Sequence, residues 1–238
     1  MQTTFKPTSN KRGFTYQLSE YGEAFIDLAW KSTHPVVDIG CAFGVATLPA
    51  LEVGANVIAV DISEDHLQTL RDNTPAHYQT RLETLKKRFP NETSFESDSL
   101  GAIYISHVLP FLSPAEIRKA TQKLYDWLVP GGKIIVISMS PYIKLCKNFL
   151  PIYESRKKEG MEWAGLIENL SLYADDKEFV KKLPETLNHM DLDDFRREFS
   201  NAGFHIDQLE YFGDPENLLP TALKMDGRER IGMIATKI

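Results

Sequence analysis

The 238-residue chain is 42% apolar, 11% aromatic and 25% charged, a composition that excludes the disordered and fibrous classes. It carries 27 Lys and Arg residues against 33 Asp and Glu residues, a net charge of −6. This balance argues against a dedicated nucleic-acid binder, because such proteins present a basic face to phosphates. At this length we expect one α/β domain spanning residues 1–238.

The cysteine content and the lengths of the apolar runs indicate the cellular compartment. Cys41 and Cys146 are too few for a disulfide framework and lack the paired spacing of a zinc site. No apolar segment of the length of a secretory signal opens the sequence, and no run of about 18 apolar residues occurs. We therefore predict a soluble cytoplasmic protein with no metal ion and no membrane partner.

Short apolar runs alternate with helical patterns between Val36 and Ser140, which is typical of βαβ units in a parallel sheet. The run at 81–85 is ambiguous, because residues 78–89 also fit the end of a long helix. Two further strands are predicted near the end of the chain. The predicted strands are Val36–Ile39, Asn56–Val60, Arg81–Leu85, Ala102–Ser106, Lys133–Ser138, Phe204–Phe212 and Arg230–Ile238.

Two helices carry clear capping signals. Ser113, Pro114 and Glu116 form a capping box with proline at the first helical position, and residues 130–132 (Pro-Gly-Gly) are expected to end that helix. A second capped helix is predicted over Asp191–Ala202, followed by Gly203 at a position suited to left-handed backbone.

Residues 142–190 form a longer, mostly helical and aromatic segment that is predicted to be an insertion after the fifth strand. Such a segment is longer than a connection needs. Two interpretations stay open: a peripheral layer that seals the sheet, or a lid over a ligand at the carboxyl ends of the strands.

The motif with the most chemical content is VVDIGCAFGVAT, residues 36–47, an apolar strand followed by a glycine-rich turn and a helix. Gly40 removes a side chain where a ligand can lie against bare backbone, and Gly44 permits close approach at the start of the helix, whose unpaired N–H groups would face the ligand. The dinucleotide fingerprint requires glycine at its third position and a small residue at its sixth, where this chain has Ala42 and Val45, so a nicotinamide dehydrogenase fits poorly.

Asp61 closes the next apolar strand, 17 residues after Gly44. A carboxylate here either satisfies N–H groups at the start of a helix or accepts hydrogen bonds from the two hydroxyls of a ribose. Its position at a strand end favours the ribose interpretation.

With these motifs the chain resembles the class I S-adenosylmethionine-dependent methyltransferases, from about residue 16 to residue 141 and again in the last two strands. The resemblance rests on VVDIGCAFG, VDIS, AIYISHVLPFL and WLVPGGKIIVI. It implies a Rossmann-like, mostly parallel seven-stranded sheet flanked by helices, with an antiparallel last strand, and S-adenosylmethionine as cofactor. The cofactor-binding residues that it implies are Tyr16, Asp38, Gly40, Cys41, Ala42, Gly44, Asp61, Ile62, Ser106 and His107.

The resemblance assigns these residues distinct parts of the cofactor. The glycine turn would pass beside the methionine part, Ile62 would flank the adenine, and Ser106 and His107 would lie beside the sulfonium. Many relatives place an acidic residue after the third strand to bind the adenine, whereas this chain has Lys86, Lys87 and Arg88. Adenine recognition by backbone groups is therefore expected.

Candidates for catalysis follow from position. His107 is the candidate base, because an imidazole ordinarily titrates near neutral pH, although it could equally pack against the cofactor. Tyr16 and Tyr142 could orient the acceptor, or could simply pack. Cys41 is a small residue in the turn and an improbable nucleophile.

The acceptor predicted from the sequence is a small molecule with an oxygen, nitrogen or carboxylate group. The run after the fourth strand lacks the Asn/Asp-Pro-Pro-aromatic pattern of nucleic-acid amino methyltransferases, and no Asp or Asn cluster suits a metal ion. Two alternatives stay open: a methyltransferase that acts on RNA or protein, and a non-catalytic module that only holds S-adenosylmethionine.

Overall fold

A computed structural model describes residues 5–8, 14–213 and 219–238, with the backbone alone described at 5–7 and 14–16. In these ranges the strands are β1 (Phe5–Pro7), β2 (Phe14–Tyr16), β3 (Val36–Ile39), β4 (Val57–Asp61), β5 (Leu82–Lys86), β6 (Leu100–Ser106), β7 (Leu128–Met139), β8 (Leu166–Ile167), β9 (Leu187–Asn188), β10 (Phe204–Phe212) and β11 (Arg230–Lys237). The α-helices are α1 (Glu20–Lys31), α2 (Thr47–Glu52), α3 (Glu64–Asn73), α4 (Pro114–Trp127), α5 (Leu150–Lys158), α6 (Lys177–Val180) and α7 (Leu192–Asn201).

The main sheet has seven strands in the order β10-β11-β7-β6-β3-β4-β5. Strands β5, β4, β3, β6 and β7 run parallel, and β11 pairs antiparallel with both β7 and β10. This confirms the predicted sheet and its antiparallel last strand. The ambiguous run at 81–85 is strand β5, Leu82–Lys86, at the edge of the sheet.

Both faces of the central strands are covered by helices, as the unbroken apolar runs require. All four residues of β3 are buried. Helices α4 and α7 pack on one face around Leu124 and Phe199, and α1 covers the other face through Phe25 and Ala29. The carboxyl ends of the parallel strands stay accessible at one edge.

The capping predictions are confirmed. Ser113 and Glu116 form a reciprocal capping box at α4, and Asp191 and Asp194 form another at α7. Gly203 has a φ of +106°. The predicted end of α4 at residues 130–132 is wrong: the helix ends at Trp127, and the Pro-Gly-Gly run lies inside β7, where Leu128 already pairs with Leu100.

The segment 142–190 is less helical than its sequence pattern indicates. It contains α5, the four-residue helix α6, short 3-10 turns and the two-stranded pair β8-β9. Its aromatic residues Phe149, Tyr153 and Phe179 are buried in an apolar cluster of their own. Within the described ranges, no helix combines the length and the hydropathy that a membrane crossing requires.

Candidate functional site

A cavity of about 300 Å³ lies at the carboxyl edge of the sheet, where open α/β sheets bind ligands. The structure brings eight of the residues predicted from the sequence to its lining: Asp38, Gly40, Cys41, Ala42, Asp61, Ile62, Ser106 and His107. Gly44 and Tyr142 lie outside the described lining. The side chain of Tyr16 lies outside the described residues.

The glycine turn after β3 directs its amide groups into the protein. The N–H groups of Gly40 and Cys41 donate to the carbonyl of Val60 at 2.7 and 3.2 Å, and the N–H of Ala42 donates to Asp61 Oδ2 at 3.0 Å. The prediction concerned the N–H groups at the start of the following helix; the N–H groups of these three turn residues, which precede that helix, are bonded within the protein. The turn offers bare backbone to the cavity rather than an anion-binding cluster of donors.

The two glycines of the motif have different roles. Gly40 has a φ of +78° and lines the cavity, and a Cβ there would lie 2.4 Å from Val108 Cγ2. Gly44 has a φ of +85°, and its Cβ would lie 2.4 Å from Leu70 Cδ1 on α3. Gly44 thus allows the turn to pack against α3, while Gly40 shapes the cavity floor.

Asp38 is buried at the end of β3, where its Oδ2 accepts a hydrogen bond from Thr47 Oγ1 at 2.7 Å. Burial raises the pKa of Asp38 to about 7, the charge of Asp61 adds to the rise, and the bonds from Thr47 oppose it. The carboxyl therefore changes charge near neutral pH.

The carboxylate of Asp61 is already well supplied with donors. Its Oδ1 accepts from the Ser63 N–H at 2.8 Å and lies 3.1 Å from His66 Nδ1, and its Oδ2 accepts from Ala42. A carboxylate offers about four acceptor positions, so about one, on Oδ2, is left for a ligand hydroxyl. Asp61 thus fastens the turn and the start of α3 together, and one ribose hydroxyl rather than two fits the remaining position.

His107 follows β6 in left-handed backbone with φ +59°, and its N–H donates to the carbonyl of Ile137 at 2.8 Å. Such a conformation is uncommon outside glycine and places the imidazole at the cavity. Burial and the positive charge of Arg230 lower the pKa of His107 to about 3. The imidazole is therefore neutral and weakly basic here, unlike the ordinary histidine that the sequence suggests.

The structure does not bring Tyr142 to the cavity. Its backbone N–H donates to Ser140 Oγ at 3.0 Å, which turns the chain away from the sheet edge. The ring packs against Tyr153 and Tyr211 at centroid distances of 5.9 and 5.6 Å, and the Arg228 guanidinium lies 3.7 Å from its centroid. The packing interpretation holds for Tyr142, and the catalytic one is dropped.

The segment 142–190 contributes an apolar wall to the cavity through Ile143, Leu145, Phe179, Leu183 and Leu187. Thr8, Gln17 and Ser19 of the N-terminal arm line it from another side. At the end nearest β5, Lys87 and Arg88 line the cavity where many relatives would present an acidic residue.

A buried histidine in the same segment was missed by sequence reasoning. His189 lines the cavity, and its Nε2 lies 3.6 Å from Cys146 Sγ. Burial lowers the pKa of His189 to about 4 and raises the pKa of Cys146 to about 12. The pair is a neutral imidazole beside a thiol, so it is not an activated nucleophile.

Arg230, also missed, lines the cavity from the first position of β11. A signal for it existed: an antiparallel last strand begins at the edge where its parallel neighbours end, so a charged first residue belongs beside the ligand. Gln17 and Ser19 carry no comparable signal, because they precede a helix outside the predicted motifs.

Comparisons with known proteins agree with this arrangement. The family described as "Methyltransferase domain" matches residues 36–132. The carboxy-S-adenosyl-L-methionine synthase of Shewanella piezotolerans is 31% identical over 126 residues, 50% of this chain and 50% of that protein. The aligned part of the chain thus spans about half the length of the curated relatives it matches.

Solved structures share the fold at low sequence identity. An S-adenosylmethionine-dependent methyltransferase from Methanosarcina mazei has a TM-score of 0.66 and 17% identity, and the match covers 93% of this chain and 99% of the other. A glycopeptide N-methyltransferase complexed with S-adenosylmethionine has a TM-score of 0.59 and 15% identity, with 93% and 95% covered.

Proposed function

We propose an acceptor class for this chain, which belongs to the class I S-adenosylmethionine-dependent methyltransferase family, whose cofactor is S-adenosylmethionine. The proposed reaction is transfer of a methyl group to a small molecule held in the cavity at the carboxyl edge of the sheet. The observation that carries it is the cavity itself, which residues of the glycine turn, β6 and the segment 142–190 line together. A concave, largely apolar site of this size suits a small acceptor better than a macromolecule.

The residues present fit the cofactor. The amide groups of Gly40, Cys41 and Ala42 are bonded within the protein, so the turn lacks the donors that a pyrophosphate needs but accommodates a cationic nucleoside against bare backbone. The carboxyls of Asp38 and Asp61 line the same end and supply negative charge for a cation. Asp61 retains about one acceptor position for a ribose hydroxyl.

The bound cofactor supplies a methyl group on a cationic sulfur, which is already activated for transfer. The chain supplies position and the exclusion of water. Ser106 and His107 lie at the end of β6 between the glycine turn and the apolar wall, so they can orient an acceptor atom there. Because the His107 imidazole is neutral with a pKa of about 3, we assign it a hydrogen-bonding role rather than that of a strong base.

The test is turnover with fractionated acceptors. The protein is incubated with S-adenosylmethionine and either a small-molecule or a macromolecular fraction of a cell extract, and S-adenosylhomocysteine release is measured. We expect release with the small-molecule fraction alone. Release with RNA or protein would contradict the acceptor class, and calorimetry showing binding of NADH instead of S-adenosylmethionine would contradict the cofactor.

A second candidate reaction follows from the curated relatives, which are named as carboxy-S-adenosyl-L-methionine synthases. The corresponding proposal for this chain is that carbon dioxide, free or released from a carboxylic acid, replaces one hydrogen of the S-methyl group with a carboxylate, and that the displaced proton passes to solvent or to the decarboxylated donor. A buried arginine in the cavity, Arg230, favours a site that accepts a carboxylate. Mass spectrometry of the nucleoside product distinguishes carboxylated S-adenosylmethionine from S-adenosylhomocysteine.

Cofactor affinity is expected to rise with pH because of Asp38. A cationic ligand prefers the ionised carboxylate, so binding lowers the pKa of Asp38 from about 7, and affinity increases as the pH rises through that value. Between pH 6 and pH 8 the ionised fraction, and hence the affinity, should grow about tenfold. Calorimetry at several pH values measures this.

Asp38→Asn is the matched variant for that measurement. The side-chain amide of the variant cannot ionise. The titration of the ligand itself contributes equally to the pH dependence of affinity in both proteins, so only the part due to Asp38 should vanish in the variant. Parallel pH profiles for the wild type and the variant would show that Asp38 does not sense the cofactor.

A further inference from the structure

Arg230 is a buried cation at the acceptor end of the cavity. It is 4% exposed and lines the cavity as the first residue of β11. Its backbone pairs with Met139, the last residue of β7, and with Phe212, the last residue of β10. Arg230 therefore lies at the same edge of the sheet as His107, two strands away in the order β11-β7-β6, and at the same edge as Asp38 of β3 and Asp61 of β4.

The guanidinium of Arg230 is held in place before any ligand binds. One of its nitrogens, Nη2, donates to the carbonyl of Gly213, and the group lies over the Phe212 ring at 4.2 Å from the centroid. Burial is the larger influence on two neighbouring groups: it lowers the pKa of His107 and raises the pKa of Tyr104. The positive charge of Arg230 lowers both pKa values. Arg230, Tyr104 and His107 line the same cavity.

The surroundings of Arg230 define a complementary ligand. Met139, Ile143, Leu145 and Leu223 line the same cavity and present apolar surface. An arginine fork binds a carboxylate through two parallel hydrogen bonds, which strengthen in a poorly hydrated cavity. A ligand that matches this end has an apolar body and one carboxylate group.

We propose that Arg230 binds a carboxylate at the acceptor end of the cavity and thereby selects ligands that carry one. The proposal rests on the proposed function, since it assigns the substrate class of the same site. S-adenosylmethionine and S-adenosylhomocysteine both carry an α-carboxylate of their own, so the carboxylate meant here is an additional one: it belongs either to the acceptor molecule or to a carboxylated group on the cofactor. The shared chemistry is an anion held in the same cavity as His107.

Calorimetry with two pairs of probes tests the proposal. The first pair is 3-phenylpropionate and its uncharged amide, titrated into protein saturated with S-adenosylhomocysteine. The second pair is carboxy-S-adenosylmethionine and S-adenosylmethionine, titrated into the free protein. The variants are Arg230→Met, which removes the charge, and Arg230→Lys, which keeps the charge but loses the fork.

Arg228→Met is the matched control. Arg228 is two residues away, carries the same charge, pairs with Asp226 and lies over Tyr142 outside the described cavity lining. Its replacement should leave both probe comparisons unchanged. A melting temperature equal to that of the wild type shows that Arg230→Met is folded.

We expect the wild type to bind the acid at least about tenfold more tightly than the amide, the effect of one charged hydrogen-bonded pair. Arg230→Met should abolish this preference, and Arg230→Lys should reduce it. If the carboxylate belongs to the cofactor, the preference appears instead for carboxy-S-adenosylmethionine over S-adenosylmethionine, with the same dependence on Arg230.

Two outcomes overturn the proposal: neither pair of probes is distinguished by the wild type, or the preference survives in Arg230→Met. If Arg230→Met fails to bind S-adenosylhomocysteine, the Arg230→Lys variant is used instead. An undiminished preference for the carboxylate probe in Arg230→Lys would contradict binding through two guanidinium hydrogen bonds. Failure of the proposed function has a different signature, because the wild type would then bind neither S-adenosylmethionine nor S-adenosylhomocysteine.

Discussion

Asp61→Asn is expected to weaken S-adenosylmethionine binding about 30-fold. The substitution removes the charge of a side chain that joins the cavity, the glycine turn and the start of α3. A charge-assisted hydrogen bond to a ribose hydroxyl contributes about 2 kcal/mol, which corresponds to that factor. Isothermal titration calorimetry measures it directly.

Asp65→Asn is the control for Asp61→Asn. Asp65 lies on the first turn of α3, is exposed and is absent from the described cavity lining, so the substitution makes the same change in net charge without touching the site. We expect its cofactor affinity to match the wild type. Equal affinities in all three proteins would remove Asp61 from the ribose site and leave it only the task of fastening the turn.

Of the substitutions proposed, Asp191→Ala should lower the free energy of unfolding most. The Asp191 carboxylate accepts from Tyr153 Oη at 2.5 Å and from Lys157 Nζ at 2.6 Å, both on α5, and from the N–H of Asp194 at the start of α7. Its removal leaves the buried Tyr153 hydroxyl without this acceptor, takes the nearer carboxylate from Lys157 and removes the N-cap of α7. The expected cost is about 3 kcal/mol of the free energy of unfolding. The melting temperature should fall by roughly 6 to 12 °C for a chain of this length.

The comparison variant is Asp193→Ala. Asp193 also lies near Lys157, at 3.2 Å, but its side chain is 72% exposed. An exposed ion pair contributes little, so its loss should change stability by less than about 0.5 kcal/mol. Melting curves that coincide for the two variants would mean that Asp191 does not connect the segment 142–190 to α7.

Much of the fold could be predicted because its signals are local. Buried parallel strands such as Val36–Ile39 appear as short apolar runs, and the two capping boxes mark where α4 and α7 begin. The uncertain strand Leu82–Lys86 lies at the sheet edge, where partial exposure removes a clear period. The Pro-Gly-Gly run at 130–132 was misread, because whether it ends a helix or lies in a strand depends on pairing with β6.

The site was predictable where its residues follow strand ends and unpredictable where they do not. Asp38, Gly40 and Asp61 reach the cavity because β3 and β4 end there. Tyr142 also follows a strand, but its ring packs against Tyr153 and Tyr211 outside the described cavity lining. Its N–H donates to Ser140 in a turn that the preceding Ser-Pro pair favours, a signal that lies outside the predicted motifs. Burial and, to a smaller extent, the positive charge of Arg230 lower the pKa of His107, and Arg230, 123 positions distant in the chain, reaches the same cavity only through the sheet order.

Because β11 runs antiparallel to its neighbours, distant parts of the sequence line the same cavity. Groups expected to handle the nucleoside come from residues 38–62, whereas the guanidinium is supplied by the start of β11. A library randomised at position 230 alone would therefore test the proposed acceptor preference while residues 38–62 stay unchanged.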